Sequence, residues 1–172
     1  IKTLESIKNQ TYENIEIIVV DDKSTDNSVS KIKEFAKDNK NLSLKLIEHS
    51  ENKGQMASMQ TGLLHANGQF ICFIDSDDIL ITDYAKTLLR VHLSSSVAFV
   101  SGQLIEIGEK DEIHTTYSIS SFQKKTRFEL KSLNDLLKIN VDNVDFKVLS
   151  LKDAPFGGWY WSAMSANMFR KS

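Results

Sequence analysis

Asp75, Asp77 and Asp78 place three carboxylates within four positions, with Ser76 between the first two. Crowded carboxylates repel one another, and a hard divalent cation is the usual reason to hold them together. A second acidic pair, Asp21-Asp22, stands earlier in the chain and opens the polar run Lys23-Ser24-Thr25-Asp26-Asn27-Ser28. Each cluster directly follows a run rich in β-branched or aromatic residues, over 15–20 and 70–74. A single aspartate after a strand ordinarily caps a helix or forms a turn. Two acidic strand ends on one edge of a parallel sheet point instead to a ligand, because ligands of open α/β sheets sit beyond the carboxyl ends of the strands.

The elements that position these acids can be read from periodicity. Ile1, Leu4 and Ile7 predict one apolar helical face, with Lys2, Glu5 and Lys8 turned away and the helix fading by Gln10-Thr11-Tyr12. The run 15–20 predicts a strand with strong β-branched bias. Val29, Ile32, Phe35 and Ala36 mark a helix capped by the polar residues after Asp22. The stretch 42–47 alternates as an edge strand does, and His49 to Gly54 forms a polar loop. A helix from about Gln55 to Ala66, stopped by Asn67-Gly68, leads to a strand over 69–75 whose apolar run predicts burial on both faces. Thr82-Asp83 can cap a further helix carrying Tyr84, Leu88 and Leu89. The order α-β-α-β-α-β predicts a three-layer α/β/α fold with a mostly parallel central sheet. Short strands are expected over 97–101, 103–107 and 113–117, and a helix over 130–139, followed by an aromatic, glycine-containing loop with Trp159-Tyr160-Trp161.

Composition narrows the function classes. The chain has 172 residues, 41% hydrophobic and 26% charged, which suits one soluble domain with a substantial core. With 21 basic against 23 acidic residues the formal net charge is -2, so no basic excess argues for nucleic acid or an anionic surface as main partner. Cys72 is the sole cysteine and lies inside an apolar run, where a small core role is expected. No apolar run reaches the roughly 20 residues that span a bilayer. The four histidines, His49, His65, His92 and His114, show no metal-ligand spacing. The expected setting is cytoplasmic, with segments outside the chain leaving room for peripheral association with the inner face of a membrane.

Taken together, Asn9-Gln10-Thr11-Tyr12, the run 15–28 through Asp21-Asp22, Asn52-Lys53-Gly54 with Gly62, and Asp75-Ser76-Asp77-Asp78 closely resemble family 2 glycosyltransferases of the GT-A fold. The resemblance covers about residues 1–100 with the right order and spacing. It implies a donor-binding half over 1–100 and an acceptor-side half over 101–172 of one incomplete domain. It also implies transfer of a sugar from a nucleoside diphosphate sugar to a hydroxyl of a glycan or lipid-linked acceptor, with inversion, in synthesis of a surface polysaccharide or glycoconjugate. In such enzymes the residue matching Asp22 bonds the nucleotide base, and the resemblance places Asp21 and Ser24 beside it in the same nucleotide-sugar-binding set. The Asp75-Ser76-Asp77 segment holds ribose and a Mg²⁺ or Mn²⁺ ion that bridges the diphosphate. Asp78 is either a further ligand, direct or through water, or the cap of the following turn. The Lys53 side chain and the amides at Lys53 and Gly54 either face phosphate or base, or simply belong to a solvated turn. Met59 and Gln60 depart from the family, where a basic residue and an asparagine are common.

Trp159, Tyr160 and Trp161 fall where the family builds its acceptor side, and flat aromatic faces suit sugar C–H surfaces. A hydrophobic plug or an interface is the competing account. Two expected parts lie outside the chain by this resemblance: a strand preceding Ile1, and the acidic general base that follows a segment like 156–169. No catalytic base is therefore named; Asp142, Asp145 and Asp153 are carboxylates that nothing distinguishes. Rival layouts fit less well. A receiver-type phosphoacceptor domain wants its acidic pair after the first strand, and a haloacid dehalogenase-type phosphatase wants Asp-Xaa-Asp near the N-terminus. A non-catalytic relative that binds nucleotide only is the third alternative.

Overall fold

The computed structural model describes residues 1–94, 99–101, 104–107, 113–117 and 167–171. In chain order these form α1 (Lys2–Lys8), β1 (Glu16–Asp21), α2 (Ser28–Asp38), β2 (Ser43–Glu48), α3 (Gln55–His65), β3 (Phe70–Cys72), α4 (Tyr84–Ser94), β4 (Phe99–Ser101), β5 (Leu104–Ile107), β6 (Ile113–Tyr117) and β7 (Asn167–Arg170). The alternation of helices and strands through α4 is the α/β order expected from periodicity. The helix expected over 130–139, the Trp159-Tyr160-Trp161 loop and Asp142, Asp145 and Asp153 lie outside the described residues.

β1 and β2 pair in parallel with Asp21 opposite Glu48, and the His49 amide extends the ladder by donating to the Asp21 carbonyl at 2.9 Å. β2 alternates exposed and half-buried positions as an edge strand should. On one side of β1, Ile17 and Val19 pack with Leu4 of α1 and Phe35 of α2, the core of this half. On the other, Val20 approaches Gly62 of α3, where an added Cβ would sit 3.7 Å from the valine methyl.

β3 is flanked by β7, which pairs antiparallel with both β3 and β4. β7 was not foreseen: four residues offer no readable period, and their partners lie far away in sequence. β5 and β6 form an antiparallel hairpin. Among the described residues no strand pairs with the free edge of β1, and a groove of about 1260 Å³ runs there, lined by Ile17, Val19, Cys72, Leu89 and Met168 among others.

Three expectations need correcting. The strand expected over 69–75 spans only Phe70–Cys72 and is half-buried along its length, because its neighbour is one short antiparallel strand and its other side opens on the groove. The apolar face expected on α1 is only part of its buried face: Leu4 joins the core with Ile7 packed against it, and Lys2 and Lys8 are exposed, but Thr3 and Ser6 are buried as well and Ile1 is 48% exposed. Hydrogen bonding decides this, since Thr3 Oγ1 donates to the Ser76 carbonyl at 2.7 Å and Ser6 Oγ accepts from the Leu80 amide at 3.1 Å. Finally, α3 does not stop on a left-handed glycine. Ala66 is extended, and the Glu16 carboxylate captures the amides of Asn67 at 2.6 Å and Gly68 at 2.5 Å. A Cβ at Gly68 would lie 3.3 Å from both Glu16 Oε1 and the Phe70 carbonyl, so any other residue would have to push the carboxylate or the strand back by a few tenths of an ångström.

Candidate functional site

The first acidic strand end splits its two carboxylates between two tasks. Asp21, 8% exposed, ends the buried side of β1, and its Oδ2 accepts from the Ser24 amide at 3.1 Å, which closes the turn after the strand. Asp22 points the other way, as alternation along a strand requires. Its Oδ1 accepts from the Lys53 amide at 2.8 Å and its Oδ2 from the Gly54 amide at 2.7 Å. Oδ1 also lies 2.8 Å from His49 Nδ1. The His49 hydrogen bond, with those from Lys53 and Gly54, holds the Asp22 carboxyl below the usual carboxylate range. Directly after Asp22, Lys23 takes φ 67, a left-handed conformation uncommon for a residue with a side chain, and its Nζ donates to the Ser50 carbonyl at 2.9 Å. The amides of Lys53 and Gly54 are thus engaged by Asp22 itself. The Lys53 side chain is exposed.

The second acidic strand end is presented by a loop rather than a strand. Asp75 and Asp78 are half-buried and joined by a turn in which the Asp78 amide donates to the Asp75 carbonyl at 3.2 Å, while Ser76 and Asp77 are exposed. Asp75 Oδ1 accepts from Gln55 Nε2 at 3.1 Å. Gln55 is the first residue of α3 and follows Gly54, so two consecutive residues at one helix start tether the two acidic clusters.

The loop after Asp75 is secured by α1. Beyond the Thr3 and Ser6 contacts, buried Gln10 donates to the Ile81 carbonyl at 2.7 Å and accepts from the Ala85 amide at 2.9 Å, and Thr11 Oγ1 donates to Asp83. Asp83 precedes α4, and its carbonyl accepts from the Thr87 amide at 2.9 Å while its side chain accepts from Thr11.

His49, Thr3, Ser6 and Gln10 are residues whose part in the site sequence reasoning missed. A signal for His49 existed: if β1 and β2 are parallel and in register, the residues following their ends must lie side by side. His92, by contrast, is fully buried and lies 2.9 Å through Nε2 from the Met168 carbonyl, a core histidine of α4.

Among the described residues no three histidine, cysteine, aspartate or glutamate side chains form a ready-made cage for a metal ion. The donors present are nevertheless of the right kind: hard carboxylate oxygens at Asp75, Asp77 and Asp78, partly accessible on a loop. Small divalent cations are commonly held by one or two carboxylates together with substrate phosphates, so these residues fit an ion whose coordination a diphosphate completes.

An α/β scaffold that brings acidic strand ends to one helix start has the layout of the GT-A class, and the solved structures it resembles have that fold. The mannosyltransferase PcManGT from Pyrobaculum calidifontis, solved in complex with GDP-Man and Mn²⁺, superposes with a TM-score of 0.56 over 64% of this chain and 32% of its own, at 27% identity. The chain belongs to glycosyl transferase family 2, whose sequence profile matches residues 1–152. EpsH of Bacillus subtilis is 49% identical over 88 residues, 51% of this chain and 24% of its own length. The UDP-Glc:alpha-D-GlcNAc-diphosphoundecaprenol beta-1,3-glucosyltransferase WfgD of Escherichia coli is 35% identical over 100 residues, 58% of this chain and 38% of its own. The chain therefore spans well under half the length of these relatives. Family membership sets aside the receiver-type and phosphatase-type layouts. No described helix is long and apolar enough to cross a membrane.

Proposed function

We propose that the chain forms the donor-binding part of an inverting glycosyltransferase, which moves a sugar from a nucleoside diphosphate sugar to a hydroxyl of a glycan or lipid-linked acceptor. The observation that carries this is the tethering of Asp22 and Asp75 to consecutive residues, Gly54 and Gln55. A nucleotide is long, with a base at one end and a diphosphate at the other, and needs separate acidic contacts held at a fixed spacing. Asp22, with Asp21 and Ser24 shaping its turn, serves the base end. Asp75 and Ser76 serve the ribose, and Asp75, Asp77 and Asp78 hold a Mg²⁺ or Mn²⁺ ion against the diphosphate. Such an ion neutralises charge that develops on the leaving nucleoside diphosphate. PcManGT, bound to GDP-Man and Mn²⁺, supports both the donor class and the metal. The name of WfgD, a beta-1,3-glucosyltransferase of alpha-D-GlcNAc-diphosphoundecaprenol, supports a lipid-linked acceptor. We assign the reaction to assembly of a surface polysaccharide or glycoconjugate at the cytoplasmic face of a membrane. Trp159, Tyr160 and Trp161 are the aromatic residues we assign to the acceptor side.

Calorimetric titration of UDP, GDP and dTDP, with and without Mn²⁺, tests this on the wild type and Asp77→Ala. Metal-dependent binding of at least one diphosphate, lost in the variant, is expected. Binding indifferent to metal, or no binding of any of the three by the intact protein, rejects the proposal.

A further inference from the structure

We propose that His49, oriented by Thr61, is a positioning residue that locks the Asp22 carboxylate so that a single acceptor direction faces the nucleotide. The inference rests on the assignment of Asp22 to the base end of the donor. His49 follows the end of β2, and its side chain is 7% exposed against 20% for Asp22. Its Nδ1 lies 2.8 Å from Asp22 Oδ1, and its Nε2 lies 2.9 Å from Thr61 Oγ1 on α3. A hydroxyl can donate to Nε2, which places the ring proton on Nδ1, where it donates to the carboxylate. The hydrogen-bond chain then runs from the Thr61 hydroxyl through His49 to the Asp22 carboxylate, which accepts.

Counting acceptor directions shows the consequence. A carboxylate offers about four, two on each oxygen. On Oδ1 both are taken, by His49 and the Lys53 amide. On Oδ2 one is taken by the Gly54 amide. One direction on Oδ2 is left for an N–H or O–H of the ligand. These donors come from four places in the fold: the loop after β2, the following glycine loop, the start of α3 and, through Thr61, its middle. Without His49 the two amides still hold one oxygen each, but a second acceptor direction opens on Oδ1, so the ligand no longer meets a single orientation and binding it costs more ordering.

Two side chains separate this role from simple packing. Asparagine at 49 can place its amide N–H near the position of the imidazole Nδ1. Glutamine instead reaches the Nε2 position and leaves Asp22 without its donor. The intact protein is titrated with whichever of UDP, GDP and dTDP the wild type binds in Mn²⁺, alongside Asp22→Ala, His49→Asn, His49→Gln and Thr61→Val, with thermal midpoints recorded for each. His49→Asn is expected to bind within about threefold of wild type, and His49→Gln about tenfold or more weakly, as loss of a hydrogen bond to a charged group implies. Thr61→Val falls between, and the Mn²⁺ concentration for half-maximal binding stays unchanged in all three. Equal losses in the two His49 variants, tracking their thermal midpoints, would show that His49 only packs, as would wild-type affinity in His49→Gln. If Asp22→Ala binds like wild type, or the wild type binds none of the three, the donor assignment itself fails and this inference with it. Weak binding by Asp22→Ala with normal binding by His49→Gln overturns the inference alone.

Discussion

Asp22 and Asp75 are held from adjacent residues, the Gly54 amide reaching Asp22 Oδ2 at 2.7 Å and the Gln55 side chain reaching Asp75 Oδ1 at 3.1 Å. Neither carboxylate belongs to the helix that sets their spacing. The start of α3 therefore acts as a clamp between two strand ends, and its first backbone angles decide whether both acids are presented at once.

Gly54 is the weak point of that clamp. Its φ 84 and ψ 165 lie in a region open essentially to glycine alone, and an added Cβ would meet nothing within 4 Å. The cost of Gly54→Ala is thus backbone strain without a clash, about 1–3 kcal/mol. Relaxing that strain turns the amide away from Asp22. A lower thermal midpoint and weaker nucleoside diphosphate binding are expected together, the second persisting at temperatures where the variant is fully folded. Unchanged stability would contradict the positive φ.

Gln10 anchors the other side of the site. Only 7% exposed, it donates to the carbonyls of Ser6 at 3.1 Å and Ile81 at 2.7 Å and accepts from the Ala85 amide at 2.9 Å. Gln10→Leu keeps the volume and leaves the Ala85 amide and the Ile81 carbonyl without this partner, at about 1–3 kcal/mol for each such group. Urea unfolding should show a lower midpoint with an unchanged slope, since the surface exposed on unfolding stays the same. The loop bearing Asp75 to Asp78 should also lose affinity for Mn²⁺ in the presence of nucleotide.

The sequence made the element order through α4 and both acidic strand ends legible, because β-branched runs ending in aspartate carry a local signal. The polar stitching of α1 was not legible. Thr3, Ser6 and Gln10 look like the solvent side of an amphipathic helix until their partners near residues 76–85 are known. Parallel pairing hid His49 in the same way: its relation to Asp22 is set by register between strands separated by a helix. β7 and the shortness of β3 depend on pairing across most of the chain, which no window of neighbouring residues reports.

Acid should loosen the fold through carboxylates that hydrogen bonds hold ionised. At Glu16 burial opposes ionisation, but the Asn67 and Gly68 amides, the Asn67 side chain and the Lys171 charge outweigh it and lower its titration. Asp22 is lowered by His49, Lys53 and Gly54, and Asp26 by the Ser28 side chain and amide. A carboxyl lowered in the folded state contributes stability that is complete above its unfolded value, roughly 4, and is lost as pH falls through the folded value. Glu16→Gln should be less stable than wild type at neutral pH, with the difference closing below about pH 4. Urea midpoints measured across that range check it; a difference constant with pH would mean that the charge of Glu16 contributes nothing.

Cys72 offers a probe of the strand that delivers the second acidic cluster. Desolvation pushes its thiol up to about 11, partly offset by a hydrogen bond with the Tyr84 hydroxyl, and Tyr84 itself is raised by the same burial. Since the thiolate is the nucleophile and an ordinary thiol titrates near 8.5, native Cys72 should react with a disulfide reagent at pH 7.5 more slowly than in urea by about a hundredfold or more, roughly 300-fold from the thiolate fractions alone. The residue ends β3, three positions before Asp75, so any opening that frees the thiol also disturbs the acids. Nucleoside diphosphate with Mn²⁺ should slow the reaction further by stabilising that segment, and the protection should disappear in Asp77→Ala. Reaction at the unfolded rate in the native protein would show that β3 is not closed over its thiol, and protection surviving in Asp77→Ala would separate the thiol from the acidic loop.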